Sequence, residues 1–135
     1  MRPSLVALKN ETDLLLSGRI PSSEVQVYRD LHRKFYTPEH VWICSSGSSR
    51  GPQETAKLIA LSWSALESSA NSVNSHLEVT GQDIWANFLP TYHIGGFSIQ
   101  VRAALAGCEF RDFSEVKWSP RTFYELIEKE KITLT

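Results

Sequence analysis

Cysteine is scarce in this chain: 2 of 135 residues, Cys44 and Cys108. Each stands at the end of a strand-like run, with no Cys/His spacing of the kind that holds zinc, so two buried free thiols are expected. Charge of one sign is also lacking. Lys plus Arg number 14 against 15 for Asp plus Glu, a net of -1, and no basic stripe runs along any segment. That excludes nucleic acid as the main partner. Long apolar runs are absent as well. None approaches the ~20 residues a bilayer-spanning helix requires. Met1-Arg2-Pro3 does not open a secretory signal, and a cytoplasmic protein is expected. With 41% hydrophobic residues, the 135 residues can bury one core and not two, which predicts a single domain over 1–135.

What the chain does have is a run from Val41 to Lys57, VWICSSGSSRGPQETAK. Val41, Trp42, Ile43 and Cys44 have strand character, and a Ser/Gly loop follows at once. Ser45, Ser46, Gly47, Ser48, Ser49 and Gly51 offer backbone N–H and hydroxyl donors with little side chain in the way, the composition of a phosphate cradle. The same composition also suits an ordinary serine-rich surface loop. A Walker motif fails, because Gly47 and Gly51 are too close and no Lys follows Gly51. Gly47-Ser48-Ser49-Arg50-Gly51 satisfies the short pattern of a hydrolase nucleophile elbow, with Ser49 as nucleophile. An elbow must turn directly into a helix, whereas Leu58-Ile59-Ala60-Leu61 reads as a second strand. A serine hydrolase using Ser49 and His93, and a phosphate- or nucleotide-binding module without catalysis, are the alternatives this loop leaves open.

Residues 45–53, SSGSSRGPQ, resemble the phosphate loop of the acyl- and aryl-CoA synthetases, the adenylate-forming enzymes, whose signature runs Thr-Ser-Gly-Ser/Thr-Thr-Gly, any residue, Pro-Lys. Arg50 stands at the second Gly and Gln53 at the Lys. If the loop carries a short insertion, Lys57 takes the Lys position and restores the cation a triphosphate requires. Phe88-Leu89-Pro90-Thr91-Tyr92-His93-Ile94-Gly95-Gly96-Phe97 is similar to the Pro-Leu-Phe-His motif of that family. Its continuation, Ser98-Ile99-Gln100-Val101-Arg102, resembles the o-succinylbenzoate-CoA ligase branch, which serves menaquinone synthesis. The resemblance covers residues 37–135; residues 1–36 form an N-terminal helical segment outside it.

That resemblance implies a ligase that joins a small carboxylic acid to coenzyme A at the expense of ATP, with Mg²⁺. A carboxylate oxygen attacks the α-phosphorus, pyrophosphate leaves, and the thiol of coenzyme A then displaces AMP from the acyl-adenylate. Ser45, Ser46, Gly47, Ser48, Ser49 and Lys57 would hold the nucleotide phosphates. His93 would be the catalytic residue against the carboxylate and adenylate, and His93, Gly95 and Gly96 would line the substrate site; no residue is assigned to a metal. A homo-oligomer is compatible with the family. The family's Tyr-Gly-x-Thr-Glu segment, ribose-binding Asp and mobile-domain Lys have no counterpart here. The chain is therefore expected to be a piece of a synthetase, inactive alone.

The element pattern is that of an α/β chain, mainly a parallel sheet flanked by helices. Leu5-Val6-Ala7-Leu8 reads as a short strand or an ordered tail, and Thr12 to Ile20 as loosely helical. A helix opens at Pro21-Ser22-Ser23, with Ser23 and Gln26 as a capping box and Val27, Leu31 and Phe35 on one face. A second box, Ser64 and Glu67, opens a helix bearing Leu66, Ala70, Val73 and Leu77. A strand over 83–89 leads to the His motif. The next helix turns Phe97, Val101, Ala104 and Leu105 inward and stops at Gly107. A strand over 108–113 and a helix from Ser119-Pro120 to Lys131 complete the chain. Both motifs fall beyond the carboxyl ends of strands and could share one crevice. His32, His40 and His76 are expected to be structural or solvent-facing.

Overall fold

The computed structural model describes residues 1–44 and 57–135. The first helix, α1 (Leu5–Glu11), is opened by Ser4, whose hydroxyl accepts from the Ala7 amide at 3.4 Å. This corrects the strand or tail expected at Leu5–Leu8: a capped start, with Leu5 and Leu8 packed on a core cluster, makes a helix of it. The loosely helical reading of 12–20 is also corrected. Leu14 and Leu15 form β1, a two-residue strand parallel to β2 (His40–Cys44) in the register Leu14↔Trp42 and Leu15↔Ile43. The Trp42 amide donates to the Asp13 carbonyl at 2.8 Å, so the open edge of β2 holds this segment extended.

Between them lies α2 (Ser22–Lys34). Pro21 is its N-cap and supplies no side-chain bond; Ser23 is already inside the first turn, and Gln26 donates instead to Asp30 at 2.9 Å, so the expected capping box does not form. The buried face is Tyr28 and His32, while Val27, Leu31 and Phe35 are exposed. His32 meets Tyr36 and Trp42 edge to face, a structural position as expected.

β3 (Leu58–Ser62) pairs with β2 antiparallel, from His40↔Ser62 to Cys44↔Leu58. It runs into α3 (Trp63–His76), whose N-cap is Ser62, accepting from the Ala65 amide at 3.2 Å. The Ser64/Glu67 box is thus displaced by two residues, and Glu67 instead pairs with Lys9 at 2.5 Å, tying α3 to α1. Leu66 and Ala70 are buried as expected, and Leu77 is exposed.

A second sheet holds β4 (Ile84–Asn87) and β5 (Glu109–Asp112), parallel, from Ile84↔Glu109 to Asn87↔Asp112. The expected α/β class stands, with its strands divided between two small sheets and β3 the antiparallel member. α4 (Ile94–Ala106) makes the β4-to-β5 crossover and ends on Gly107, at φ 65 in the left-handed region that glycine enters freely. α5 (Pro120–Glu130) opens on Ser119, whose hydroxyl accepts from Thr122 at 3.0 Å. The end of the chain returns to β4, where the Ala86 amide donates to the Leu134 carbonyl at 2.8 Å.

α4 is the axis of the packing. Phe97 and Val101 join Val41, Trp63, Leu66 and Ala70 on one side. Ile99 and Ala103, on the other, join Trp85, Cys108 and Phe110. A helix apolar on both flanks must be covered on both, and here one flank faces α3 and the first sheet while the other faces the second. Both cysteines are buried thiols outside any disulfide, as expected. Burial pushes the Cys108 thiol up, and its Sγ–H lies 3.7 Å from the Ala103 carbonyl. Among the described residues, no helix is long and apolar enough to cross a membrane.

Candidate active site

The buried axis of α4 fixes where its first turn points. His93 is the N-cap of that helix, half-buried, at φ -99 and ψ 146. Its Nδ1 accepts from the Gly95 amide at 3.2 Å, its amide donates to the Pro90 carbonyl at 3.0 Å, and its carbonyl accepts from Phe97 at 2.9 Å. With Nδ1 occupied as an acceptor, the neutral ring carries its proton on Nε2. His93 is thereby presented as a hydrogen-bond donor at the start of a helix, beside amides that already favour negative charge.

The two glycines perform different tasks. A Cβ on Gly96 would lie 2.5 Å from the Pro90 carbonyl oxygen and 2.7 Å from that of Leu89, so only glycine lets the helix settle on this turn. At Gly95 the nearest obstacle is the Leu89 side chain, at 2.8 Å, and the amide is the donor to His93. The expected substrate-site residues His93, Gly95 and Gly96 are therefore one connected unit.

Ser45, Ser46, Gly47, Ser48 and Ser49, with Arg50 and Gln53, lie outside the described residues. Lys57 is described. It is exposed, immediately before β3, and since Leu58 pairs with Cys44 it stands at the carboxyl end of β2. Arg102 is two and a half turns beyond His93, its guanidinium 5.6 Å from the centre of the Trp85 ring, and burial lowers its pKa. That position is within the second core and away from the head of α4. Among the described residues no cluster of His, Cys, Asp and Glu suits a metal ion.

Two residues that sequence reasoning did not single out complete the turn. Asn87, fully buried at the end of β4, donates to the Leu89 carbonyl at 2.7 Å and to Asp112 at 3.0 Å, and accepts from the Leu89 amide at 3.0 Å. Their signal in the sequence is slight: a polar residue closing a strand of large apolar ones.

A turn and helix head between two parallel strands, with helices flanking two small sheets, make an α/β fragment with the fold of part of an adenylate-forming enzyme. The chain is similar to the o-succinylbenzoate CoA synthetase of Bacillus subtilis in complex with its acyl-adenylate intermediate, at 22% identity and TM-score 0.57, over 70% of this chain and 23% of that one. It is similar over 95% of its length to 27% of the adenylation domain of a keto acid-selecting NRPS module bound to keto acyl adenylate, at 16% identity and TM-score 0.57. McyG A-PCP complexed with phenylalanyl-adenylate matches at 20% identity and TM-score 0.55, over 70% of this chain and 15% of that one. The chain thus spans about a quarter or less of the proteins it is similar to. No family model matches the sequence, and no curated protein matches it.

Proposed function

We propose that this chain is the part of an adenylate-forming acid-thiol ligase that carries the His motif and the phosphate loop, with o-succinylbenzoate as the acid activated. The observation that carries the reading is His93 as N-cap of α4, its Nδ1 taken by the Gly95 amide, which leaves the proton of the neutral ring on Nε2. Carboxylate attack on the α-phosphorus forms an O–P bond and expels pyrophosphate, and thiol attack then forms the thioester and expels AMP. In both steps oxygens change charge near the acyl carbonyl and the α-phosphate. A neutral Nε2–H donor held ready there lowers the barrier without ring reorganisation. Hydrolase chemistry, by contrast, requires the histidine to accept a proton from serine, and the accepting nitrogen of His93 is already engaged. Ser45, Ser46, Gly47, Ser48, Ser49 and Lys57 are proposed as the phosphate-binding set, with Gly95 and Gly96 lining the acyl site.

The test is exchange of pyrophosphate into ATP by the full protein containing this chain. Exchange dependent on o-succinylbenzoate and lost in His93→Ala is expected. Exchange with other carboxylic acids only would move the substrate assignment. Exchange that survives His93→Ala, or none with any acid, would contradict the reading.

A further inference from the structure

We infer that Asn87, braced by Asp112, is a positioning residue for His93. The inference rests on the reading that His93 addresses the reacting groups, but its geometry stands apart from any ligand. Asn87 is fully buried and makes three side-chain hydrogen bonds, two of them closing on both backbone groups of Leu89, at 2.7 and 3.0 Å. Its own carbonyl accepts from Phe113 at 2.7 Å, which anchors it to the chain leaving β5. The remaining side-chain bond reaches Asp112 Oδ1 at 3.0 Å, and that oxygen also accepts from the Ser114 amide at 3.0 Å.

Leu89 is in turn what the helix head rests on. Its carbonyl and that of Pro90 occupy the space a Gly96 Cβ would need, and its side chain closes over Gly95. Pro90 holds the His93 amide at 3.0 Å, and Gly95 holds the ring at 3.2 Å. A continuous set of contacts thus runs from Asp112 through Asn87 and Leu89 to two of the three hydrogen bonds that fix His93, those with Pro90 and Gly95. Two different strands, β4 and β5, fix one imidazole.

The inference is tested by ¹⁵N NMR of the four histidine rings in this chain, at a pH where all are neutral, with the same variants then assayed in the full protein. In the wild type, His93 is expected in the Nε2–H form. Asn87→Ala, and Asn87→Asp, which loses the donor and faces Asp112, should shift His93 towards a mixture of tautomers and leave His32, His40 and His76 unchanged. Asp112→Ala should do the same more weakly, and Asp112→Asn, which keeps the acceptor, should restore the wild-type pattern. If Asn87→Ala fails to fold, the Asp112 pair carries the test. In the full protein Asn87→Ala should lower kcat on the order of a hundredfold with KM for ATP unchanged. A folded Asn87→Ala or Asp112→Ala chain with an unaltered His93 signature would overturn the inference even if His93→Ala abolishes adenylation. The expected tautomer shifts without any adenylation activity would uphold the coupling and fail the functional reading alone.

Discussion

Gly96 is the residue on which the helix head depends most. An added methyl would meet two backbone carbonyls, at 2.5 and 2.7 Å, neither the end of a flexible side chain. Removing a glycine from a helix contributes roughly 0.5 to 1 kcal/mol, whereas overpacking of this kind costs about 1 to 3 kcal/mol. At Gly96 overpacking wins. At Gly95 the obstacle is the mobile end of Leu89, so the two effects nearly cancel. Urea unfolding should therefore place Gly96→Ala about 2 kcal/mol below the wild type, with Gly95→Ala close to it. Equal midpoints for the two variants would mean that the 89–90 turn yields freely. The sequence shows this pair only as glycines after a histidine, because the demand for glycine comes from carbonyls six and seven residues upstream.

At the scale of elements, the contrast between Lys57 and Gln53 decides how the loop is read. Lys57 stands at the carboxyl end of β2, and it belongs to the set proposed above to bind phosphates. In the full protein, Lys57→Ala should weaken use of ATP about ten- to a hundredfold, the loss of one charge-assisted contact. Gln53→Ala should change it little. Steady-state kinetics at varied ATP check this, and a larger loss at Gln53 would favour the loop without an insertion. Helices α4 and α5 were legible because their end signals and apolar spacing agree, Gly107 and Ser119-Pro120 above all, and α3 from its apolar spacing alone. α2 was legible as a helix and not in its facing. Its apolar stripe, Val27, Leu31 and Phe35, is the exposed one, since burial went to Tyr28 and His32, whose rings meet Trp42 or the surrounding chain. The capping boxes misled for a related reason: a Ser three residues before a Glu or Gln is common, and the start of a helix is fixed by where the preceding strand ends, as Ser62 shows. At the head of α4 the motif singles out His93, Gly95 and Gly96 in the sequence, while Asn87 and Asp112 have no such signal, because strand pairing is what brings them together.

For the molecule as a whole, α4 unites two small sheets into one packed body, but the likeness to adenylate-forming enzymes spans only 23% of the Bacillus subtilis synthetase. Adenylation requires ATP, acid and catalytic groups held together within a few tenths of an ångström. This chain by itself should release no pyrophosphate from ATP with o-succinylbenzoate and coenzyme A supplied. Release above background that disappears in His93→Ala would show that these 135 residues suffice.

The central claim, that the head of α4 receives an acyl-adenylate, is tested most directly by titrating the full protein with a sulfamoyl mimic of o-succinylbenzoyl-AMP, which binds as the reaction intermediate does. The reporters are the Gly95 amide and the His93 ring by ¹⁵N NMR. The account predicts that both shift together and saturate together, while the Gly107 amide at the far end of the same helix stays in place. Saturable binding that leaves Gly95 and His93 unmoved would contradict it.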